Sequence, residues 1–389
     1  MEIKSIIKDY ENEVIDLRRK IHENPELGYE EFETSELVYK YLRNCGLEVE
    51  KICKTGVIAT LEGNKDGKII LLRADIDALK VTEETDVEYK SKVNGKMHAC
   101  GHDAHTAMLL VAAKILSKNK KSINGTVKFL FEPNEEESAA IDLIKEGVLE
   151  GVDAASAIHI WSQLDSGKIG ISNGAVMAAL DEFKVTIHGK GGHTGSPHVA
   201  IDPIIAASNI ITSVQQIQSR ELDPREPTVI MFGKVEAGTA NNVIPEKAVL
   251  EGTMRFLYKD EENGRKKLKE LFERIIKGVC LISNTNYEIE YKNPSPAVIN
   301  DSYMVDLARE SAKKTLGDES KVVEYSYIAG EDFAEFSKIV PSVFYFLGSG
   351  SDHKHTRYPH HHPKFNIDEE VLINGVEMHV RNAITYLSK

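Results

Sequence analysis

Between residues 182 and 292 the hydrophobic pattern changes period in a set order, and no other feature of this chain restricts its folding as strongly. EFKVTIHG alternates at period two, and DPIIAASNIITSVQQI then repeats at helical spacing behind an Asp-Pro start. TVIMFGKVEAG and IPEKAVLEGTMRF return to strand alternation, ENGRKKLKELFERIIKGV is helical, and NYEIEYK closes as a strand. That β-α-β-β-α-β order predicts a split-βαβ, ferredoxin-like unit. Helix and strand signals alternate on both sides of it. The reading that follows is a larger α/β domain in two pieces, 1–181 and 294–389, interrupted by an inserted domain, 182–293. A chain of 389 residues also exceeds what one core usually fills.

Within the first piece, Ile3, Ile6, Ile7, Tyr10, Val14, Leu17 and Ile21 make one helical stripe, and a second helix is predicted from Thr34 to a stop at Gly46. GVIATLEG and KIILLRAD read as strands joined by NKDG, a hairpin signal. A helix is expected over 106–116, and GTVKFLFE, 125–132, is a buried strand. The expected architecture is a mixed sheet with helices on its faces. A net charge of −13 argues against nucleic acid or an anionic membrane as partner. Cys45, Cys53, Cys100 and Cys280 are too scattered for a disulfide framework. The N-terminal residues mix acids into their apolar positions, unlike a signal peptide, and no stretch approaches the roughly 20 apolar residues of a membrane span. A reduced cytoplasm is the expected compartment.

Metal-ligating and acidic residues gather where strands are predicted to end, the place at which open α/β sheets build their sites. RADIDAL sets Asp75 and Asp77 on one face at period two. In MHACGHDAH, Cys100, His102 and His105 follow a turn and open a helix. Glu135 and Glu136 lie just beyond GTVKFLF, His159 sits in AIHIW, and PHHHPKF holds His360, His361 and His362. Taken singly, each has a plain reading: a packed cysteine, a hydrogen-bonded core histidine, a solvated acidic loop. Together, thiolate, imidazole and carboxylate suit a borderline divalent metal, zinc or manganese. The doubled glutamate adds a hydrolytic sense, since one carboxylate can hold metal while the other takes a proton from water.

The chain resembles the M20 family of metallopeptidases and amidohydrolases, in the branch of aminoacylases, hippurate hydrolases and auxin-conjugate hydrolases. The resemblance runs nearly end to end through LRRKIHENPELGYEE, RADIDAL, GKMHACGHDAHTAML, EPNEEE, HIW, GKGGHTGSPH, GTANNVIPE, GTMR, GEDF and HHPKF. It implies a two-metal site with Cys100, His102, Glu136, His159 and His361 as ligands, Glu135 as general acid/base, and Asp77 orienting a ligand. It also implies that the larger domain is catalytic and that the inserted one is a lid or dimerisation unit. There His193 would reach the partner's active site, and Asn242 and Arg255 would bind substrate, the arginine gripping a carboxylate with its planar fork.

The expected reaction is hydrolysis of an N-acyl amino acid. Glu135 deprotonates a water shared by two divalent ions (zinc or manganese, with cobalt and nickel as alternatives), the metals and His193 stabilise the oxyanion, and Glu135 returns the proton to the leaving amine. A dipeptidase or carboxypeptidase built on the same site is the alternative. A non-catalytic metal holder is disfavoured by the retained Glu135. The expected partners are a small N-acyl amino acid or short peptide and a second copy of the chain, as a homodimer or a higher homo-oligomer. Glu132 and Asn134 on either side of Pro133 replace the family's usual Gln and Ala, Glu137 and Ser138 stand where glycines are common, and Lys80 and Ser162 replace prolines. These departures bear on substrate preference and leave every proposed ligand in place.

Overall fold

The computed structural model describes residues 3–389. The chain divides into two compact units. One takes the chain up to Val176, then Val298–Ser326 and Glu331–Lys389; the other takes Met177–Ala297 and Tyr327–Gly330.

The first unit is built on an eight-stranded mixed sheet in the order Glu48–Ile52, Gly56–Glu62, Asn124–Glu132, Lys65–Asp75, Ala154–Asp165, Ser342–Gly350, Ile169–Gly170, Val322–Val323. The four central strands run parallel. Ser342–Gly350 is buried along its whole length, as expected of a parallel strand covered on both faces. The covering helices include His102–Lys118, buried on nearly every side, and Leu372–Leu387. Phe129, Leu72, Met108, Tyr345 and Val376 belong to one continuous core, so residues after 298 complete a core begun before 176. Each fully buried side chain of this kind is worth about 1.5–3 kcal/mol, which ties the two pieces into one unit.

The NKDG hairpin is not formed. Gly56–Glu62 pairs antiparallel with Asn124–Glu132, and Lys65–Asp75 lies parallel on that strand's other side. The hairpin partner of Gly56–Glu62 is the preceding strand, Glu48–Ile52. Gly63 and Asn64 donate instead to the carbonyls of Gly125 and Ile123, carrying the chain over the start of the intervening strand. Asn124–Glu132 inserts between the two strands and pairs with both, so packing overrides the local turn signal.

The second unit has a four-stranded, fully antiparallel sheet in the order Thr228–Ala237, Lys247–Phe256, Ala179–His188, Asn286–Ser295. Burial alternates strictly along Ala179–His188, so Phe183, Val185 and Ile187 face the helices Pro203–Gln216 and Glu261–Ser283. Both helices start as their sequences dictate. Asp202 accepts from the Ile204 N–H with Pro203 in the first turn, and Asp260 accepts from the Asn263 N–H. No helix among the described residues is long and apolar enough to cross a membrane.

Candidate metal centre

Because the central strands are parallel, their carboxyl ends open on one side of the sheet, and the chemistry collects there. Asp75 ends one strand and Glu132 another, and the short turn Glu135–Glu137 follows Glu132. His159 comes from Ala154–Asp165, and His361 from the segment after Ser342–Gly350. Cys100 and His102 stand at the start of the helix His102–Lys118, entered through Gly101 at φ +93°. Gly101 has no room for a side chain, since a Cβ there would lie 2.5 Å from Ile160.

Donor atoms of Cys100, His102 and His159 lie within 4.8 Å of one another, and so do those of Cys100, Glu136 and His361. The two sets share Cys100, whose Sγ is 3.6 Å from His159 Nε2. Glu136 Oε1 is 3.3 Å from His361 Nε2, and Glu135 Oε2 is 3.8 Å from His102 Nε2. Two of these imidazoles are held by their far nitrogens. His102 Nδ1 is 3.0 Å from Asp77 Oδ1, and His159 Nδ1 is 2.7 Å from the Ile160 carbonyl. Asp77 also accepts from the Glu136 N–H at 3.2 Å, so one carboxylate orients a histidine and a glutamate together.

His105 is different. Its Nδ1 is 2.6 Å from Asp75, and its Nε2 accepts from the Ile160 N–H at 2.8 Å, so neither nitrogen is free for a metal. In the histidine tract, His360 Nδ1 faces the Cys100 carbonyl at 3.3 Å while its ring lies 4.3 Å from Trp161. His361 adopts φ +66° and donates its N–H to Ala99.

Charge makes the case for cations. Burial and the neighbouring Glu136, Glu135 and Asp75 push the Cys100 thiol far up. Burial opposes it, yet Asp75 and Asp77 raise His102 to about 10. Burial, Glu331 and Glu136 raise Glu135 well above the carboxylate range. Such crowding of acids around soft and borderline donors is what divalent ions offset. His102 Nε2 is buried with no hydrogen-bond partner among the described residues, so the donor set fits a metal.

Residues that carried no assigned role complete the setting. Arg73, fully buried, reaches Glu132 at 2.5 Å, Asp75 at 2.6 Å, Asp332 at 3.0 Å and Glu331 at 3.1 Å. Glu331 and Asp332 in turn lie against Glu135. Period two was the available signal, since Arg73 shares a strand face with Asp75.

His193, Asn242 and Arg255 belong to the second unit. His193 pairs with Val243, and its Nδ1 accepts from the Gly195 N–H at 2.9 Å. Asn242 accepts from the Thr194 N–H through its carbonyl and lines a groove of about 1070 Å³ with His193. Arg255 is half-buried in Lys247–Phe256.

The relatives of this chain are metal-dependent hydrolases of amide bonds, and that is its class. The chain belongs to peptidase family M20/M25/M40, whose model matches residues 71–384. It is 42% identical to thermostable carboxypeptidase 2 of Saccharolobus solfataricus, over 100% of this chain and 98% of that one. It is 39% identical to N-acetyl-L-cysteine deacetylase of Bacillus subtilis, over 94% of this chain and 86% of that protein. Among solved structures it is similar to the YXEP protein of Bacillus subtilis, described as a dinuclear metal binding peptidase of the M20 family. That match has a TM-score of 0.85 at 35% identity and covers 98% and 99% of the two chains.

Proposed function

We propose that this chain hydrolyses the amide bond of N-acyl amino acids, with Cys100 shared between two divalent cations. His102 and His159 would complete one set of ligands, and Glu136 and His361 the other. Zinc or manganese fits the mixed sulfur, nitrogen and oxygen donors, with cobalt and nickel as alternatives. Bound there, the cations would polarise the scissile carbonyl and acidify a water. The observation that carries the reading is the division of labour between adjacent glutamates: Glu136 faces His361, while Glu135 faces the free nitrogen of His102. Glu135 takes one proton from water and delivers it to the leaving nitrogen, so a carboxylic acid and an amino acid leave together.

In the second unit, His193 accepts at Nδ1, which leaves Nε2 as the donor in the neutral ring, the state suited to a developing oxyanion. Arg255 would grip the substrate carboxylate and Asn242 a neighbouring polar group. A homodimer through this unit is supported by the edge strand Thr228–Ala237, which exposes Met231 at 59% and Val235 at 57%. The helix Pro203–Gln216 adds the exposed Ile204 and Ile205. Further association into a higher homo-oligomer is compatible with this interface. In such a dimer His193 would serve the partner's site.

The carboxypeptidase relative favours a second reading, in which the same centre cleaves a C-terminal residue from short peptides. Metal-free protein reloaded with each of the four metals and offered N-acetyl amino acids, free dipeptides and N-blocked dipeptides separates the two. Release of amino acid from the N-acetyl series supports the first reading. Cleavage confined to peptides selects the second, and no cleavage by any loaded form removes both.

A further inference from the structure

We propose that Glu31 is a positioning residue for Glu135, a carboxylate clamp that sets the backbone of the turn carrying the paired glutamates. The proposal rests on the amidohydrolase reading for its catalytic consequence and on geometry alone for the clamp.

The turn Glu135–Glu137 is flanked by two non-glycine residues in the left-handed region, Asn134 at φ +51° and Ser138 at φ +66°. Backbone of this kind persists only where its surroundings hold it. At Asn134 the holding is explicit. Its carbonyl accepts from Glu137 and Ala139 and so closes the turn, while its N–H donates to Glu31 Oε1 at 2.9 Å. Its side chain lies against Gly28, where a Cβ would come 1.8 Å from Asn134 Oδ1. The other oxygen of Glu31 accepts from Thr55 Oγ1 at 2.6 Å.

Glu31 is fully buried and stands at the start of the helix Phe32–Asn44, about a hundred residues upstream of the turn it holds. Asp77 does the matching job two residues on, accepting from the Glu136 N–H. Two buried carboxylates thus fix alternate peptide groups of the turn, Pro133–Asn134 and Glu135–Glu136, one on either side of the peptide that enters Glu135. Releasing the Asn134 N–H frees the Pro133–Asn134 peptide and lets Asn134 leave its left-handed conformation, which swings Glu135, and a displacement near 1 Å at a proton-transfer group costs on the order of a hundredfold in rate.

The plain alternative is a carboxylate that only stabilises the fold. Three variants separate the two, read by amide hydrogen exchange over 133–139 and by steady-state kinetics on an N-acetyl amino acid with metal-saturated protein. Glu31→Asp is too short to reach both Thr55 and Asn134. It is expected to exchange at least about tenfold faster in this segment, to lose about ten- to a hundredfold in kcat, and to hold KM within about threefold. Glu31→Gln offers its carbonyl to the Asn134 N–H and its NH2 to the Thr55 hydroxyl, which turns to accept. Both readouts should return to within about threefold of wild type. Thr55→Val removes the other hydrogen bond of the same carboxylate, lowering thermal stability while leaving kcat and segment exchange near wild type. Unchanged exchange in Glu31→Asp overturns the clamp, and so does an equal kcat loss in Thr55→Val or a failure of Gln to rescue. If wild type cleaves none of the amide substrates, the amidohydrolase reading falls, and the exchange data alone still decide the clamp.

Discussion

Replacing Cys100 with serine is the sharpest test of the proposed metal centre, because Cys100 alone lies in both the His102–His159 and the Glu136–His361 donor sets. Serine keeps the size, so packing is nearly unchanged, but its hydroxyl is a far poorer ligand than a thiolate at neutral pH. Loss of a group that merely orients a ligand costs ten- to a hundredfold in metal affinity, so loss of the ligand itself should cost at least about a hundredfold. Here that loss falls on both ions. His159→Ala and His361→Ala each touch one set, and their effects should be confined to it. Metal per subunit, measured by elemental mass spectrometry after exhaustive dialysis, should be about two in wild type, about one in either histidine variant and close to none in Cys100→Ser. Full occupancy in Cys100→Ser would mean that the cysteine only packs, and the shared-ligand reasoning would be wrong. Loss of both ions from His361→Ala would show instead that the sets bind as one unit.

Glu135→Gln should leave metal content near wild type and lower turnover by about two to four decades, the usual worth of general acid/base catalysis; near-normal turnover would take Glu135 out of the reaction. His193→Ala and Glu135→Gln should each be nearly inactive, yet subunit exchange between them should restore activity, since one site of a mixed dimer keeps both groups. Exchange proven by mass with activity still at the parental level would refute the shared site. Arg73→Met should destabilise the fold by about 3–5 kcal/mol near pH 8, because it leaves buried carboxylates uncompensated. Burial already lifts Glu132 to about 7 against the pull of Arg73, and without that pull the folded state binds still more protons than the unfolded one. Stability of the variant should therefore recover as pH falls towards about 5.5; equal urea-unfolding losses at both pH values would contradict this.

Some of this molecule is legible in the sequence alone. Period changes and caps are local, so the helices begun by Asp202 and Asp260 and the strands around them follow from nearest neighbours in the chain. Chemical identity is local too: a thiol, imidazoles and paired carboxylates at strand ends already pointed to a borderline metal and hydrolysis. Failure came where local signals compete. NKDG is a good turn sequence, but Asn124–Glu132 takes the place beside Gly56–Glu62 because an apolar strand buried on both faces gains more in the centre of the sheet than a hairpin gains from its turn. Likewise RADIDAL displays Arg73, yet nothing in those residues says that it will meet Glu331 and Asp332.

By itself the sequence determined the inventory: the period of most helices and strands, the side chains with donor atoms for a metal, and the paired glutamates at a strand end. Tertiary structure decided the pairings. It put Cys100 into two donor sets, filled both nitrogens of His105, left Nε2 of His102 free, and brought Glu31 from the N-terminal region to the Asn134 N–H at the entry to the Glu135–Glu137 turn. The physical reason is that period and propensity act over one turn of chain. Hydrogen bonds and charge compensation act over about 3 Å of space, and only the packed core sets which distant residues come that close.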